Sequence, residues 1–216
     1  IGLGTSQGSH DDSGFLNETV SVAGDFPEVA ITTSAGNEGN RGRHFSGTVN
    51  PGGGPVEVNL AVGEGEASFS FEFWGTPPMI YTLDITAPNG EYIPPITGRL
   101  RETRSYNFIF DKTTIDVDYE MIESNSGLQV ILLRFINPTQ GTWRFNVYGR
   151  GDLRGTFHMW LPSGNFISEN TTFFNADPYT TITSPGTVIV PITLTAYNSN
   201  TNTQHIPHPH SAKEHV

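Results

Sequence analysis

An asparagine at position 37 lies in the run AGNEG (35–39), directly after a short segment rich in β-branched residues. A side-chain amide fixed at the end of a buried strand can donate a hydrogen bond to a developing oxyanion, and this stabilises the tetrahedral intermediate of acyl transfer. The simpler interpretation is an asparagine that favours a turn after a strand. The residue type and its position make Asn37 a candidate oxyanion-hole donor.

Five acidic residues invite comparison with the paired carboxylates of a glycosidase or with a calcium site. They are Glu64, Glu66, Asp116, Asp118 and Glu120. The last three alternate along one predicted strand, so they project from the same face of a sheet. Calcium ligation at that spacing requires further oxygen ligands from loops. A solvated strand face is therefore the favoured interpretation.

Histidines form two groups that could carry chemistry. His10 precedes Asp11, Asp12 and a predicted helix, where capping and compensation of the helix dipole are favoured over a catalytic pair. The second group lies near the C-terminus and consists of His205, His208 and His210. Imidazole is a common metal ligand, but nothing in this proline-rich stretch orients the rings. We expect no metal site and no cofactor.

Three tryptophans, Trp74, Trp143 and Trp160, lie in predicted strands. An exposed row of indoles would form a platform on which sugar rings stack. Packing in the core or between strands is the favoured interpretation, because buried indoles contribute large apolar area.

Composition excludes several classes of function. The chain has 216 residues, no cysteine and a formal net charge of −11. The absence of cysteine rules out disulfides, thiolate nucleophiles and Cys-based metal sites. An acidic surface is unsuited to nucleic acid, whose binding depends on Lys and Arg. No apolar run approaches the roughly 20 residues of a membrane span. We expect neither a nucleic-acid nor a membrane partner.

Residues 1–49 read as strand, helix and strand, which is typical of a parallel α/β unit. Asp12 or Ser13 is the predicted N-cap, and Gly24 and Pro27 end the helix. The apolar face of the helix is predicted to consist of Phe15, Leu16, Thr19, Val20 and Ala23. The run VAITTSA (29–35) then predicts a strand.

Residues 50–168 alternate apolar and polar side chains in seven or eight short runs separated by turn signals. This pattern predicts an antiparallel β-sandwich. Residues 169–198 contain a more continuously apolar strand (188–196), expected in a sheet covered on both faces. We predict that it pairs in parallel with residues 29–35, so that the sandwich is an insertion between them. Residues 199–216 are predicted to be a disordered tail.

The run TTSAGNEGNRGRHFSG (32–47) resembles the subtilisin-like serine protease (subtilase) family, in which a buried parallel strand ends at the oxyanion-hole asparagine. The opening Gly2-Leu3-Gly4 is similar to the strand that lines the substrate cleft in that family. The run TITSPGTVIVPITLTAYN (181–198) resembles the next strand. A subgroup from anaerobic bacteria, including proteases of spore germination, carries a jelly-roll domain between these places.

This resemblance implies a mainly β fold, in which an antiparallel jelly-roll-like β-sandwich is inserted into a partial α/β subtilase core. It implies an oxyanion-hole role for Asn37 and a cleft wall made by the residues Gly2, Leu3, Gly4, Ala35 and Gly36. The substrate would be a peptide or protein, and the source would be bacterial, with a secreted or spore-associated location. Thr195 and Gly2 depart from the family, which has Gly and often Ser at these positions.

The catalytic Asp and His of the family would precede residue 1, and its nucleophilic Ser would follow residue 198. We therefore expect an internal fragment of a serine endopeptidase that is inactive on its own, with open sheet edges through which it could self-associate. The alternative function is a free-standing β-sandwich that binds a carbohydrate or a protein ligand.

Overall fold

The computed structural model describes residues 1–11, 13–96, 102–120 and 122–196. Within these ranges the chain forms a helix, α1 (Phe15–Gly24), a 3₁₀ helix (Gly164–Phe166) and thirteen strands. The strands are β1 (Thr32–Ser34), β2 (His44–Val49), β3 (Val56–Val62), β4 (Phe69–Gly75), β5 (Ile80–Thr86), β6 (Tyr92–Ile96), β7 (Glu102–Phe108), β8 (Thr113–Glu120), β9 (Gln129–Ile136), β10 (Gly141–Arg150), β11 (Gly155–Trp160), β12 (Thr172–Phe173) and β13 (Ile192–Leu194). Across this part of the chain, no helix combines the length and apolarity needed to cross a bilayer.

The fold is mainly β and its large sheets are antiparallel, as the sequence predicts. One sheet has five strands in the order β12-β3-β10-β5-β6, and the other has six in the order β2-β11-β4-β9-β8-β7. Side chains along β8 alternate between buried and partly exposed over all eight residues. This is the period of two that a sheet covered on one face requires.

The two antiparallel sheets share one core, so they form a sandwich. Phe71 of the six-stranded sheet meets Phe145 of the five-stranded sheet edge-on, with 5.6 Å between ring centroids. The hydroxyl of Tyr119 crosses between the sheets and donates a 2.6 Å hydrogen bond to the backbone carbonyl of Tyr81. Each large apolar side chain buried in this way contributes roughly 1.5–3 kcal/mol.

The antiparallel sheets extend beyond the limits of 50 and 168 that the sequence predicts. Strand β2 begins at His44 and pairs with β11, while β12 follows residue 168 and pairs with β3. Strand β2 contains a glycine, which interrupts the alternation of apolar and polar side chains by which strands are predicted. A Cβ atom at Gly47 would lie 2.4 Å from the Phe157 ring, so the packing of β11 requires glycine there.

Strands β1 and β13 pair in parallel, which confirms the predicted proximity of segments 29–35 and 188–196. Thr32 lies opposite Ile192, and Ser34 opposite Leu194. Both strands are three residues long, shorter than predicted. The expected cover on both faces is wrong for the described residues, because Ile192 and Leu194 are 60% and 58% exposed. Their outer face has no packed neighbour within the described part of the chain.

The predicted helix is confirmed, but its cap and its buried face are not. The N-cap is Gly14, without a side-chain cap, and the Ser13 hydroxyl donates instead to the Asp11 carboxylate. Asp12 lies outside the described residues. Phe15 and Leu16 are exposed, whereas Val20 is buried together with the polar Asn17.

Asn17 explains why the helix buries a different face from the predicted one. Its amide donates to the Thr187 hydroxyl at 3.2 Å, and its carbonyl accepts from the Ser184 hydroxyl. The helix thus docks on the segment before β13 through a polar residue, which hydrophobic periodicity could not reveal. The predicted tail (199–216) and its histidines lie outside the described residues.

Candidate functional site

The site predicted from sequence begins where β1 ends, at Ala35. Its N–H donates a 2.9 Å hydrogen bond to the Leu194 carbonyl, and its own carbonyl accepts from the N–H of Thr183 at 3.0 Å. Ala35 is buried, so the strand end is held on both sides. The chain then turns at Gly36, whose φ is +88°. Asn37 follows and is exposed.

Two predicted cleft residues, Gly4 and Gly36, contact the same buried threonine. A Cβ atom at Gly36 would lie 2.8 Å from Cγ2 of Thr183, and one at Gly4 would lie 2.1 Å from its Oγ1. Neither distance is compatible with a side chain, so the close packing of three segments requires glycine at both positions.

The first segment is fixed beside Thr183 by a pair of backbone hydrogen bonds. Thr5 and Ser184 each donate to the other's carbonyl at 2.9 Å. The structure therefore gathers Gly4, Ala35 and Gly36 around Thr183. Gly2 and Leu3 are exposed and lie outside this contact, with Leu3 83% exposed.

Thr183 is the residue of this site that sequence reasoning missed. It is buried, and its carbonyl accepts from the Gly186 N–H at 2.7 Å, which closes the turn before β13. A threonine carries no signal of its own for such a role. Gly4 and Gly36 were the signal in the sequence that two segments pack closely here. That both pack on Thr183 becomes evident only from the fold.

The Asn37 side chain makes no hydrogen bond to any other described residue. The neighbouring Glu38 is buried instead, and its Oε1 accepts a 3.0 Å hydrogen bond from the N–H of Gly164. Its Oε2 lies 3.9 Å from Nε of Arg43, which is also buried. Burial lowers the pKa of the Arg43 guanidinium from its ordinary value. The loop after β1 thus exposes the Asn37 amide and buries the Glu38 carboxylate, which attaches the loop to Gly164.

His10 was predicted, together with Asp11 and Asp12, to serve in helix capping and dipole compensation. The structure shows a different role for its ring. Its ring stacks on Trp160 at 3.8 Å, and its Nε2 lies 3.1 Å from the Ser6 carbonyl. On β2, the His44 ring lies 2.9 Å from Nδ1 of His158. Burial lowers the pKa of His10 to about 4 and that of His44 to about 3. Both rings are therefore neutral at pH 7 and serve in packing.

The acidic row on β8 faces outward and interacts with neighbouring strands. Asp118 lies 2.5 Å from the Arg134 guanidinium, and Asp116 accepts from the Ser105 hydroxyl at 2.5 Å. Glu66 accepts from the Ser168 N–H at 3.0 Å, and Glu64 is exposed. Among the residues that the structure describes, no group of three or more His, Cys, Asp or Glu could hold a metal ion.

All three tryptophans are buried, which confirms their interpretation as core and inter-strand packing. Trp143 meets Phe108 edge-on at 5.0 Å, and Trp74 donates its indole N–H to Glu72 at 2.9 Å. Trp160 donates to the Thr180 carbonyl at 2.9 Å. None of them is exposed as a sugar-stacking platform.

No protein-family model matches this chain, and no curated protein matches it in sequence. Among solved structures, the CspB protease of Clostridium perfringens is similar to this chain, with a TM-score of 0.87 and 24% sequence identity. The similarity extends over the whole length of this chain. The chain covers 44% of the length of that protease chain. The two chains thus share a fold over this part.

Proposed function

We propose that this chain is part of a subtilisin-like serine endopeptidase, in which Asn37 is an oxyanion-hole donor. Gly4, Ala35 and Gly36 form one wall of the substrate cleft, and the exposed Gly2 and Leu3 continue it. The observation that carries this proposal is the convergence of Gly4 and Gly36 on Thr183 at the end of the parallel β1–β13 pair. Similarity of fold to a CspB protease over the whole chain supports it.

Asn37 meets the physical requirements of an oxyanion-hole donor. Its amide follows a strand end fixed by hydrogen bonds to Leu194 and Thr183, so the group is attached to a rigid support. It is exposed and bonds to no described residue, so a substrate can reach it. A preorganised donor of this kind stabilises the transition state by about 2.7–4 kcal/mol relative to its absence.

The remaining catalytic groups would come from other parts of the enzyme. If segments 32–47 and 181–198 correspond to the family as they resemble it, the acid and the base precede this sequence and the nucleophile follows it. The chain covers 44% of the length of the CspB protease chain, which leaves room for them. Donors without a nucleophile have no oxyanion to stabilise, so the isolated chain should not hydrolyse peptides.

The outer face of the β1–β13 pair and of α1 fits the role of an incomplete protease core. Its exposed apolar side chains are Phe15, Leu16, Val29, Ile189, Val190, Ile192 and Leu194. Exposed apolar side chains in this number on a few short neighbouring segments are typical of an interaction surface. In the proposed enzyme the remainder of the α/β core covers it. In the isolated chain it would drive self-association.

The test compares this chain with the longer protein that the proposal requires its gene to encode. A fluorophosphonate probe, which labels activated serines, should label the longer protein and not the 216-residue chain. The longer protein should also hydrolyse a denatured protein substrate. Absence of labelling in the longer protein, or hydrolysis by the isolated chain that a serine-directed inhibitor does not stop, would overturn the proposal.

A further inference from the structure

Glu38 is the residue next to Asn37, yet the two side chains face opposite environments. Asn37 is exposed, whereas Glu38 is 5% exposed. Its carboxylate accepts a hydrogen bond from the N–H of Gly164, the first residue of the 3₁₀ helix between β11 and β12. A buried carboxylate cannot contact a substrate in the cleft. Glu38 therefore serves the loop itself.

Arg43 completes the attachment of the loop and is 1% exposed. Its Nη1 donates to the Thr171 carbonyl at 2.6 Å, and its Nη2 donates to the Ile167 carbonyl at 3.4 Å. Nε faces the Glu38 carboxylate at 3.9 Å. Two buried charges are tolerated when they neutralise each other, and removal of one leaves the other uncompensated.

The segment that receives these contacts, residues 164–171, is itself attached to the sandwich. Glu66 accepts from the N–H of Ser168 at 3.0 Å and from the Thr171 hydroxyl. The Thr171 hydroxyl also accepts from the Gly63 N–H at 3.0 Å, directly after β3. The loop that carries Asn37 is thus joined to the sandwich through one continuous set of polar contacts.

We propose that Glu38 and Arg43 are positioning residues, which hold Asn37 in its catalytic orientation by fastening its loop to residues 164–171 of the sandwich. This rests on the proposed function of Asn37. The sandwich then acts as a support for the oxyanion hole, because movement of residues 164–171 would displace the donor. Displacement by about 1 Å from the productive geometry reduces catalysis by orders of magnitude.

The first test is the kinetics of Glu38→Gln in the longer, active protein. Glutamine keeps an acceptor for Gly164 but cannot neutralise Arg43. We expect kcat to fall about tenfold or more while KM stays within about twofold, because Asn37 acts in the transition state. Arg43→Lys should do the same, since lysine lacks the planar fork that reaches the two carbonyls. Loss confined to KM would overturn the proposal.

Asp84→Asn is the matched control. It removes the charge of another buried carboxylate, which accepts hydrogen bonds from Asn146 and Tyr148 on β10 and belongs neither to the loop that carries Asn37 nor to residues 164–171. If it lowers kcat as much as Glu38→Gln does, the effect is a general loss of structure and the proposal is wrong. The double variant Asn37→Ala/Glu38→Gln gives a second criterion. Its kcat should equal that of Asn37→Ala, because a support has no further effect once the supported group is absent.

Hydrogen exchange on the 216-residue chain separates this proposal from the proposed function. Glu38→Gln should accelerate amide exchange in residues 36–41 about tenfold, and Asp84→Asn should not. If exchange is unchanged, Glu38 does not hold the loop, whatever the enzyme does. If exchange accelerates but Asn37→Ala leaves kcat unaltered, the loop attachment is real and Asn37 is not an oxyanion donor, which overturns the positioning role in catalysis.

Discussion

The imidazole ring of His10 stacks on the indole of Trp160, with 3.8 Å between ring centroids and 8° between the ring planes. On the same indole, the His44 ring stacks at 4.9 Å. The segment that leads from the proposed cleft wall into α1 is therefore attached to the six-stranded sheet through the neutral imidazole of His10.

Stability should fall when the pH drops below about 6.5, the ordinary value of a histidine pKa. Burial lowers the pKa of His10 to about 4 and of His44 to about 3, so in this window the unfolded chain binds protons that the folded chain excludes. Stability therefore rises with pH up to about 6.5 and is lost below it. For His44, which is 0% exposed, the slope should be about 1.4 kcal/mol per pH unit. Urea unfolding at pH 7, 6 and 5 measures how the unfolding free energy of the chain, to which both histidines contribute, depends on pH.

His10→Phe keeps a flat ring against Trp160 but cannot bind a proton, so its stability should fall less steeply between pH 6.5 and 5. A carboxylate variant, Glu123→Gln, is the control. Burial would raise the pKa of Glu123, but hydrogen bonds from Ser126 and Asn125 outweigh it and lower the pKa. Its contribution is therefore lost only below about pH 4.5. An unchanged slope in His10→Phe would contradict the prediction.

Gly4→Ala should destabilise the chain by about 1–3 kcal/mol through overpacking. The added methyl group would lie 2.1 Å from Oγ1 of Thr183. Gly2→Ala is the matched control, since a methyl group there meets nothing within 4 Å, and its effect should stay within about 0.5 kcal/mol. Chemical unfolding of both variants measures the difference. Equal effects would mean that the first segment does not pack on Thr183.

Gly36→Ala tests the turn that carries Asn37. The φ of +88° costs a non-glycine residue about 1–2 kcal/mol, and contact with Thr183 adds to it. Gly90 has nearly the same φ, +91°, with open space around it. The unfolding free energy of Gly36→Ala should therefore be lower than that of Gly90→Ala by about 1–3 kcal/mol. If the two variants lose the same stability, the close contact with Thr183 is not formed.

Periodicity predicted the sandwich, because half-buried strands impose alternation on the sequence. The parallel β1–β13 pair followed from two apolar runs and a glycine-rich strand end. The Glu38–Arg43 attachment could not be predicted, since its partners lie more than 120 positions away along the chain. Thr183 was missed for the same reason. Their roles depend on segments that only tertiary structure brings together.

The isolated chain should self-associate through the exposed side of β13. Ile192→Thr keeps a β-branched residue but removes apolar area from a side chain that is 60% exposed. It should weaken association at least about fivefold, given roughly 25 cal/mol per Å² of apolar surface. Sedimentation velocity over a range of concentrations measures this. Ile109→Thr, in the exposed turn between β7 and β8, is the control. A concentration-independent monomer, or equal effects of both variants, would contradict the expectation.

The most direct measurement is the kcat of the longer protein, labelled by fluorophosphonate at its serine, after Asn37→Ala. If Asn37 donates to the oxyanion, kcat should fall about 10²–10³-fold. KM should change little, because the hydrogen bond forms fully only in the transition state. Asn50→Ala, at an exposed asparagine directly after β2, should leave both constants unchanged. A kcat within twofold of the parent, with labelling intact, would show that Asn37 has no part in catalysis.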